Sequence, residues 1–587
     1  MLDREKLSAD FCVLGGGMAG ICAALAAARC GVRTILIHDR PVLGGNASSE
    51  CRVHITGANQ HGGRPDARET GIVEELMLTN LALNPQQSYS VWDTILWEAL
   101  RYQSNLRVLY NCSCFEARRD GDRIASVTGW QLTTQMAITV EAQYFADCTG
   151  DAITTPIAGA ECRRGREGRQ EFDESLAPQK ADNHTMGMTC LFGARRTNRP
   201  QPFSAPIWAY RFKSIEDLAP NRRPHGPGFG YWWVELGGDR DSIADTEDVR
   251  DELLRVVYGL WDLVKNRMDC DAECWAMDWV QFLPAKRESR RLVGDYLLCQ
   301  GDIESGGRFP DTVAYGGWSM DQHPPAGFWS PEPPADFGKV PDVYGIPLRS
   351  LYSANIANLW MAGRNASCTH VGLSSTRVMG TGSVMGQAVG TAVAYALRHG
   401  HSPRECADGS AIGTIQQKLL ANDCYLPGVP RKFGEATAAA VLSASAGSPE
   451  PLRDGVNRQV HEVDHSWRCA PGGWVECRWP QPHALRSLTL AFDTDLTREI
   501  CMSYFMANSR TETPAELVKG FDVEAEVDGR WVTVHHEDDN RQRLRTVRFE
   551  DLKATALRLT PLSTHGAPEA RVFTMAVNEP AATEFER

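Results

Sequence analysis

The feature that most constrains this chain is a glycine-rich turn held between two short apolar runs near its start. Phe11-Cys12-Val13-Leu14 leads into Gly15-Gly16-Gly17-Met18-Ala19-Gly20, which spaces Gly15, Gly17 and Gly20 as G-x-G-x-x-G. An alanine-rich stretch from Ile21 to Arg29 follows and stops at Gly31, and Thr34-Ile35-Leu36-Ile37 forms the second apolar run. The order predicts strand, tight turn, helix and a second buried strand. The glycines differ in what they allow. Gly15 permits the turn, Gly17 lets a pyrophosphate approach the backbone, and Gly20 lets helix and strand pack closely. The helix start at Met18 and Ala19 then faces the phosphates with free N–H groups. The position that binds a ribose at the end of the second strand falls by register on His38, with Asp39 next. Either Asp39 holds the ribose or His38 does so as a neutral imidazole, with a surface-loop role for both as the alternative.

At 587 residues the chain exceeds a single hydrophobic core, so two or three domains are expected. A net charge of −13 argues against a nucleic-acid surface or a footing on anionic lipid, both of which need clustered Lys and Arg. A small-molecule substrate is the expected partner, possible glycosides included, together with a second copy of the chain in a homo-oligomer. No apolar run reaches the length of a bilayer crossing and no apolar leader precedes the first strand, which reads as cytoplasmic. Eighteen cysteines are scattered along the chain, and the closest pairs, Cys112 with Cys114 and Cys270 with Cys274, lack C-x-x-C spacing. They read as buried thiols rather than a redox dithiol or cluster. No H-E-x-x-H, paired C-x-x-C or carboxylate cluster marks a metal, and G-x-S-x-G is absent.

Beyond the second strand, Arg40-Pro41-Val42-Leu43-Gly44-Gly45-Asn46-Ala47-Ser48-Ser49-Glu50 brings a double glycine with small hydroxylated neighbours. Tyr144-Phe145-Ala146-Asp147-Cys148-Thr149-Gly150-Asp151 is an apolar strand ending in T-G-D, and Asn358-Leu359-Trp360-Met361-Ala362-Gly363-Arg364-Asn365 is a strand ending in an A-G turn. Gly380-Thr381-Gly382-Ser383 opens a long helix of small residues through Leu397. With these four blocks in order, residues 8 to 400 resemble FAD-dependent oxidoreductases of the glutathione-reductase-like class, in the group of fumarate-reductase-like and polysaccharide-locus flavoproteins. The resemblance implies FAD. It assigns Arg40, Gly44, Gly45, Asn46 and Ser48 to the pyrophosphate and ribityl chain, and Thr149, Gly150, Asp151, Gly363 and Arg364 to the turns that touch it. Cys114 joins this cofactor set, as do Gly382 and Ser383, whose helix dipole would stabilise negative charge on the reduced flavin.

The middle of the chain is mixed in polarity and rich in aromatic residues, as in Tyr231-Trp232-Trp233-Val234-Glu235. Val249, Leu253, Val256, Val257, Leu260 and Val264 recur at helical spacing and predict a core-packing helix from about Asp248 to Asn266. From about Gly428 the pattern becomes period two, with Phe521, Val523, Ala525 and Val527 alternating with Asp522, Glu524, Glu526 and Asp528. This end resembles discoidin-like, galactose-binding jelly rolls, either sugar-binding modules or packing appendages, with Trp467 as a candidate stacking platform. The expected fold class is therefore an α/β Rossmann-type FAD-binding domain with an inserted α+β substrate domain, plus a C-terminal all-β sandwich of jelly-roll type that folds on its own. Its segments are 1–155 and 341–427 for the FAD domain, 156–340 for the insert and 428–587 for the sandwich.

A flavin enzyme that dehydrogenates an alcohol needs a base for the hydroxyl proton while hydride leaves carbon for flavin N5, and histidine meets that need near neutral pH. His370, just after the A-G turn, ranks first. His323 ranks second, with Asp321 two residues away on an extended segment to orient it; His54 and His61 follow. Arg52, His54, Arg287, Arg290, Asn365 and Arg377 are the expected substrate-binding residues, since guanidinium groups grip carboxylates or clustered hydroxyls. In the block Arg287-Glu288-Ser289-Arg290-Arg291, an inter-domain salt-bridge role is the competing reading for Arg287 and Arg291. The leading function is oxidation of a sugar, glycoside or polyol hydroxyl. The alternatives are a fumarate-reductase-like reaction on a carboxylate-bearing substrate and a noncatalytic flavin- or carbohydrate-binding scaffold.

Overall fold

The computed structural model describes residues 3–228, 233–502 and 511–578, so Tyr231 and Trp232 of the aromatic run lie outside the described residues. Strands β1 (Phe11–Leu14), β2 (Thr34–Ile37), β3 (Leu106–Leu109), β4 (Tyr144–Asp147) and β5 (Leu359–Met361) form one sheet in the order β5-β4-β1-β2-β3. All neighbours in it are parallel. Strands β1, β2, β4 and β5 are buried at every position because both faces of the sheet are covered. One cover is a four-stranded sheet whose Ile124, Val127, Ile138 and Val140 pack on Cys12, Leu14, Ile35 and Ile37. Its edge is Asp3–Ser8, paired in parallel with Met136–Glu141.

The other cover is helical. Helix α1 (Met18–Arg29) links β1 to β2, and after β5 the chain forms α2 (His370–Thr376) and α3 (Met379–His399). Gly382, Gly386 and Gly390 recur every fourth residue on α3 and so share one face. A Cβ built on Gly386 would lie 2.0 Å from the Ala19 carbonyl oxygen, and one on Gly390 2.2 Å from that of Ala23. The two helices therefore meet backbone to backbone, a contact no side chain could enter. No helix among the described residues is long and apolar enough to cross a membrane. All eighteen cysteines are free thiols, most of them buried.

Between β4 and β5 the chain leaves the sheet and builds a separate core around the helix Thr246–Asn266, which starts two residues before the expected position. The six residues of the predicted stripe are all buried there. A three-stranded ribbon places Met188–Thr189 between Glu235–Leu236 and Ala285–Lys286.

The C-terminal part is an antiparallel sandwich. The long strands Val475–Phe492 and Leu544–Thr564 run through both leaves, pairing Val475 with Leu559 in one and Leu490 with Arg545 in the other, with register breaks between. Phe521, Val523, Ala525, Leu488, Leu490 and Phe492 point into its core, as their alternation predicts. Trp467 corrects the sequence reading: only 1% exposed, it packs in this core and its indole N–H donates to the Ala446 carbonyl at 2.9 Å, so it offers no stacking face.

The sandwich has a core of its own and is also joined to the FAD domain. Its segment 493–502 threads into the FAD domain, where Ile500 joins the main core. Buried Arg68 pairs with Glu74 at 2.8 Å and donates to the carbonyls of Thr494, Asp495 and Arg498. In the other direction Arg458 donates to the Arg68 carbonyl and to Thr70, while Arg543 pairs with Asp423 at 2.9 Å. Removing one partner of such buried charge pairs costs about 3–5 kcal/mol, so the joint is structural.

The helix contact gives a direct test. Gly386→Ala places a methyl group on the Ala19 carbonyl, and overpacking against backbone costs about 1–3 kcal/mol or more. A clear fall in the thermal unfolding midpoint is expected; an unchanged midpoint would mean that α1 and α3 do not touch in this way.

Candidate active site

The three motif glycines differ in what they face. Gly15 has a left-handed φ of +96°, and a Cβ there would meet the Cys148 carbonyl at 2.6 Å; a Cβ on Gly20 would meet the Gly15 carbonyl at 1.9 Å. The polypeptide itself requires both. Nothing lies within 4 Å of a Cβ built on Gly17, so its missing side chain leaves a cradle open in front of the α1 N-terminus. Gly44 donates to the Gly16 carbonyl at 2.9 Å, and Gly45 comes within 3.1 Å of the Gly17 Cα, measured from a built Cβ. Gly363 faces Ala19, and Gly382 faces Gly363. The double-glycine loop, the A-G turn and the start of α3 therefore converge on the α1 turn. Backbone N–H groups of α1 and a cradle that a Cβ would fill fit a pyrophosphate, and so fit FAD.

His38 is a correction. It is 3% exposed, its Nδ1 accepts the Gly16 N–H at 3.0 Å and its Nε2 proton goes to the Val42 carbonyl at 2.8 Å. Both nitrogens are used in joining the two glycine loops, and burial lowers its pKa, so it is a neutral strut that cannot grip a ribose. Asp39, two residues beyond β2, is exposed, and Arg40 beside it lies 3.6 Å from Glu50. Cys114 packs at the rim of the core behind the sheet, where burial, with the nearby charges of Asp147 and Asp39 adding to it, raises its thiol pKa.

At the T-G-D turn the buried carboxylate of Asp147 takes the N–H and hydroxyl groups of Thr149 and Thr154. Asn365 donates to both the side chain and the carbonyl of Asp147. Completely buried, it ties the turn after β5 to β4, while its Oδ1 has no hydrogen-bond partner among the described residues. Asp151 receives Arg364 and Lys286, each at 2.8 Å, and Ser289 at 2.7 Å. Burial pushes its carboxyl up, but the two cations outweigh this and hold it well below the usual range. The hydroxyl of Ser48 is used by the Gly45 carbonyl, and Asn46 donates to the Lys286 carbonyl at 3.2 Å. Ser383 is corrected too: its hydroxyl bonds back to the Met379 carbonyl at 2.7 Å within α3, leaving no free group for a cofactor.

The stretch Lys286–Arg291 thus lies on the cofactor elements, and its other side carries two histidine clusters. Glu288, fully buried, sets its Oε2 2.8 Å from His370 Nδ1 and accepts the Met186 N–H at 2.9 Å. His370 begins α2, where Thr369 caps the helix by accepting the Gly372 N–H at 3.0 Å. Its own N–H donates to Glu167 at 2.7 Å. Its Nε2 takes no hydrogen bond from any described residue. Arg291, 1% exposed, pairs with Glu167 at 3.1 Å, a salt bridge within the inserted segment rather than one between domains.

In the second cluster both histidine nitrogens are engaged. His323 Nδ1 lies 2.7 Å from Glu235, and its Nε2 lies 3.1 Å from Arg377 Nη2 and 3.3 Å from Asp321. Arg377 follows His370 by two helical turns, so both face the same way. It binds Asp321 at 2.7 Å, and Arg287 lies 3.5 Å from Glu235 and 2.6 Å from the Thr189 hydroxyl. Burial pushes the Glu235 and Asp321 carboxyls up, but Arg287 and His323 on the first, and His323 and Arg377 on the second, hold both below the usual range. Arg290 touches only the carbonyls of Asp151 and Ala152, both at 3.4 Å. Arg52, at φ +55°, stacks 4.3 Å over the Trp279 ring rather than joining either cluster.

His54 and His61 form a third group, with ring centres 5.4 Å apart. Burial lowers their pKa values to about 3 and about 4, with the charge of His61 adding to the effect on His54. Sequence reasoning missed the carboxylates that orient the histidines. Glu288 had a signal in its arginine-rich block, whereas Glu235 and Glu167 had none.

Fold and site together define a dinucleotide-binding flavoprotein. The chain belongs to the FAD dependent oxidoreductase family, which matches residues 10–419. It is thus an FAD-dependent oxidoreductase. No curated protein matches it. Among solved structures it is similar to the family 32 carbohydrate-binding module of Streptococcus pneumoniae EndoD, at 16% identity over 24% of this chain and 98% of that one, with a TM-score of 0.20. The family 32 module of C. perfringens NanJ in complex with galactose is 13% identical over 24% of this chain and 95% of that one, TM-score 0.18.

Gly17→Val tests the cofactor side. The side chain has room in the empty protein but fills the pyrophosphate cradle, so FAD content should fall by about tenfold or more while the unfolding midpoint of the apoprotein stays within about 1 kcal/mol of wild type. Full FAD content in this variant would show that the cradle holds no pyrophosphate.

Proposed function

We propose that the enzyme oxidises a hydroxyl group of a sugar, glycoside or related polyol, with His370 taking the hydroxyl proton. The observation that carries this reading is the His370–Glu288 contact. Glu288 receives the Nδ1 proton, so the lone pair of the neutral imidazole sits on Nε2, which no described residue engages. A carboxylate that fixes the tautomer and stabilises the imidazolium is the arrangement a general base requires. Bound FAD supplies the two-electron acceptor; Gly15, Gly17, Gly20, Asp39, Gly44, Gly45, Gly150 and Gly363 would hold it.

His323 suits positioning better than proton transfer, because Glu235 takes one of its nitrogens and Arg377 the other. The carboxylate-substrate alternative needs an arginine ready to clamp an anion. Arg287, Arg291, Arg364 and Arg377 each already face a carboxylate, which leaves Arg290, bonded to two carbonyls, as the guanidinium such a reaction would use. The carbohydrate part of the reading rests further on the jelly-roll resemblance of the C-terminal sequence.

With a sugar that reduces the enzyme, His370→Ala should keep the flavin spectrum and slow single-turnover flavin reduction by about 10²–10⁴-fold. Reduction at the normal rate in this variant would remove His370 as the base, and a full loss confined to His323→Ala would move the role there.

A further inference from the structure

Beyond the Ser375–Trp318 hydrogen bond from α2, several buried polar atoms lie close together. Asn59 is 1% exposed and Glu499 3% exposed. Asn59 Oδ1, His61 Nδ1, Trp318 Nε1 and Glu499 Oε2 are all buried without a hydrogen-bond partner among the described residues. They are neighbours: the His61 and Trp318 ring centres are 5.0 Å apart, edge to face, and His61 Nδ1 lies 3.8 Å from Glu499 Oε1. Asn59 donates to the Thr497 carbonyl at 3.2 Å, which ties it to the segment bearing Glu499. Leaving a buried polar atom unsatisfied is costly, so four in one place point to something they bind.

This cluster adjoins the elements that carry His370 and the start of α3. The Gly380 N–H, at the start of α3, donates to the Thr56 carbonyl at 2.8 Å. Glu69 takes both the Ala58 N–H at 3.0 Å and the Thr381 hydroxyl at 3.1 Å. Ser375, in α2 between His370 and Arg377, donates to the Trp318 carbonyl. The backbone is strained here as well: Gln60 and His61 have φ of 49° and 56°, left-handed values that cost non-glycine residues about 1–3 kcal/mol each.

The donor set selects the ligand. Asn59 Oδ1 and Glu499 accept, Trp318 Nε1–H donates, and neutral His61 can do either. Of the guanidinium groups here, Arg64 donates to the Gly317 and Val340 carbonyls and lies 3.4 Å from Asp342, and Arg68 is used by Glu74 and three carbonyls, so each already faces a carboxylate. Burial pushes the Glu69 and Glu499 carboxyls up to about 7, so an added anion would meet further resistance. Hydroxyl groups, which donate and accept in turn, match these atoms, and an aromatic edge suits the C–H face of a ring. We propose that Asn59, His61 and Trp318, together with Glu499 from the C-terminal sandwich, form a subsite for a neutral polyhydroxylated ring, so that the sandwich contributes a side chain to the flavin enzyme's substrate site. This rests on the reading of a sugar or polyol substrate.

The test is equilibrium binding to the full-length holoenzyme, followed by calorimetry. The probes are the methyl glycosides of glucose, galactose and mannose, and the corresponding methyl uronosides, which carry a carboxylate. Wild type should bind at least one neutral glycoside about tenfold or more tightly than its uronoside. Glu499→Gln and Trp318→Phe, which keep shape and remove one interaction each, should weaken that binding by about tenfold, with FAD content and melting unchanged. Glu499→Gln should also narrow the gap between neutral and anionic probes. If Glu499→Gln fails to fold, Trp318→Phe alone decides. The subsite is overturned if no neutral glycoside binds, if uronosides bind as well, or if both variants bind like wild type, in which case the four atoms meet only water. Flavin reduction by the same sugars is read separately: binding without reduction refutes sugar oxidation and leaves the subsite in place.

Discussion

The geometry of this protein depends on the backbone contact between α1 and α3. Gly386 and Gly390 bring α3 onto the carbonyls of Ala19 and Ala23, at a distance any larger residue would forbid. That approach sets Gly382 against Gly363 and Gly363 against Ala19, so three turns far apart in sequence meet around the cradle at Gly17. It also fixes what precedes α3. Helix α2 ends directly before it, so His370 and Arg377 are positioned by the same contact. A small-residue stripe that reads as mere helix packing thus sets the relation between the cofactor elements and the histidine clusters.

The stretch Lys286–Arg291 plays the complementary part. Lys286 and Ser289 hold Asp151 on the cofactor side, while Glu288 holds His370 on the other. Charge is balanced locally throughout, with Asp151 between Arg364 and Lys286, Asp321 on Arg377, and Glu167 on Arg291. Such pairs contribute little net stability, because desolvation offsets most of their attraction, but breaking one is expensive. Their consequence is geometric. They keep imidazoles and guanidinium groups in single orientations.

Much of the cofactor region is legible in the sequence because it is local. Strand, glycine turn, helix and second strand follow one another directly between Phe11 and Ile37, and Gly15 and Gly20 meet within a single turn. The sandwich core is legible for the same reason, through period-two alternation at Phe521, Val523 and Ala525. What stays hidden is long-range pairing. Glu288 reaches His370 across 82 positions and Glu235 reaches His323 across 88, with no motif to connect them. Register places His38 where a ribose ligand belongs, but two backbone groups claim both of its nitrogens. Ser383 and Trp467 mislead likewise: each side chain, at a promising position, has its hydrogen taken up internally. The joint between domains is invisible in the sequence because its ligands are largely main-chain carbonyls, which carry no sequence signature.

The proposed chemistry turns on which substrates donate electrons to this site. The decisive measurement is anaerobic mixing of purified holoenzyme with neutral glycosides and polyols on one side and dicarboxylates on the other, with the visible absorbance of the flavin as readout. Bleaching by at least one neutral hydroxylated compound, with no response to the dicarboxylates, is the predicted result. Bleaching by dicarboxylates alone would contradict a hydroxyl-oxidising site built on His370 and Glu288.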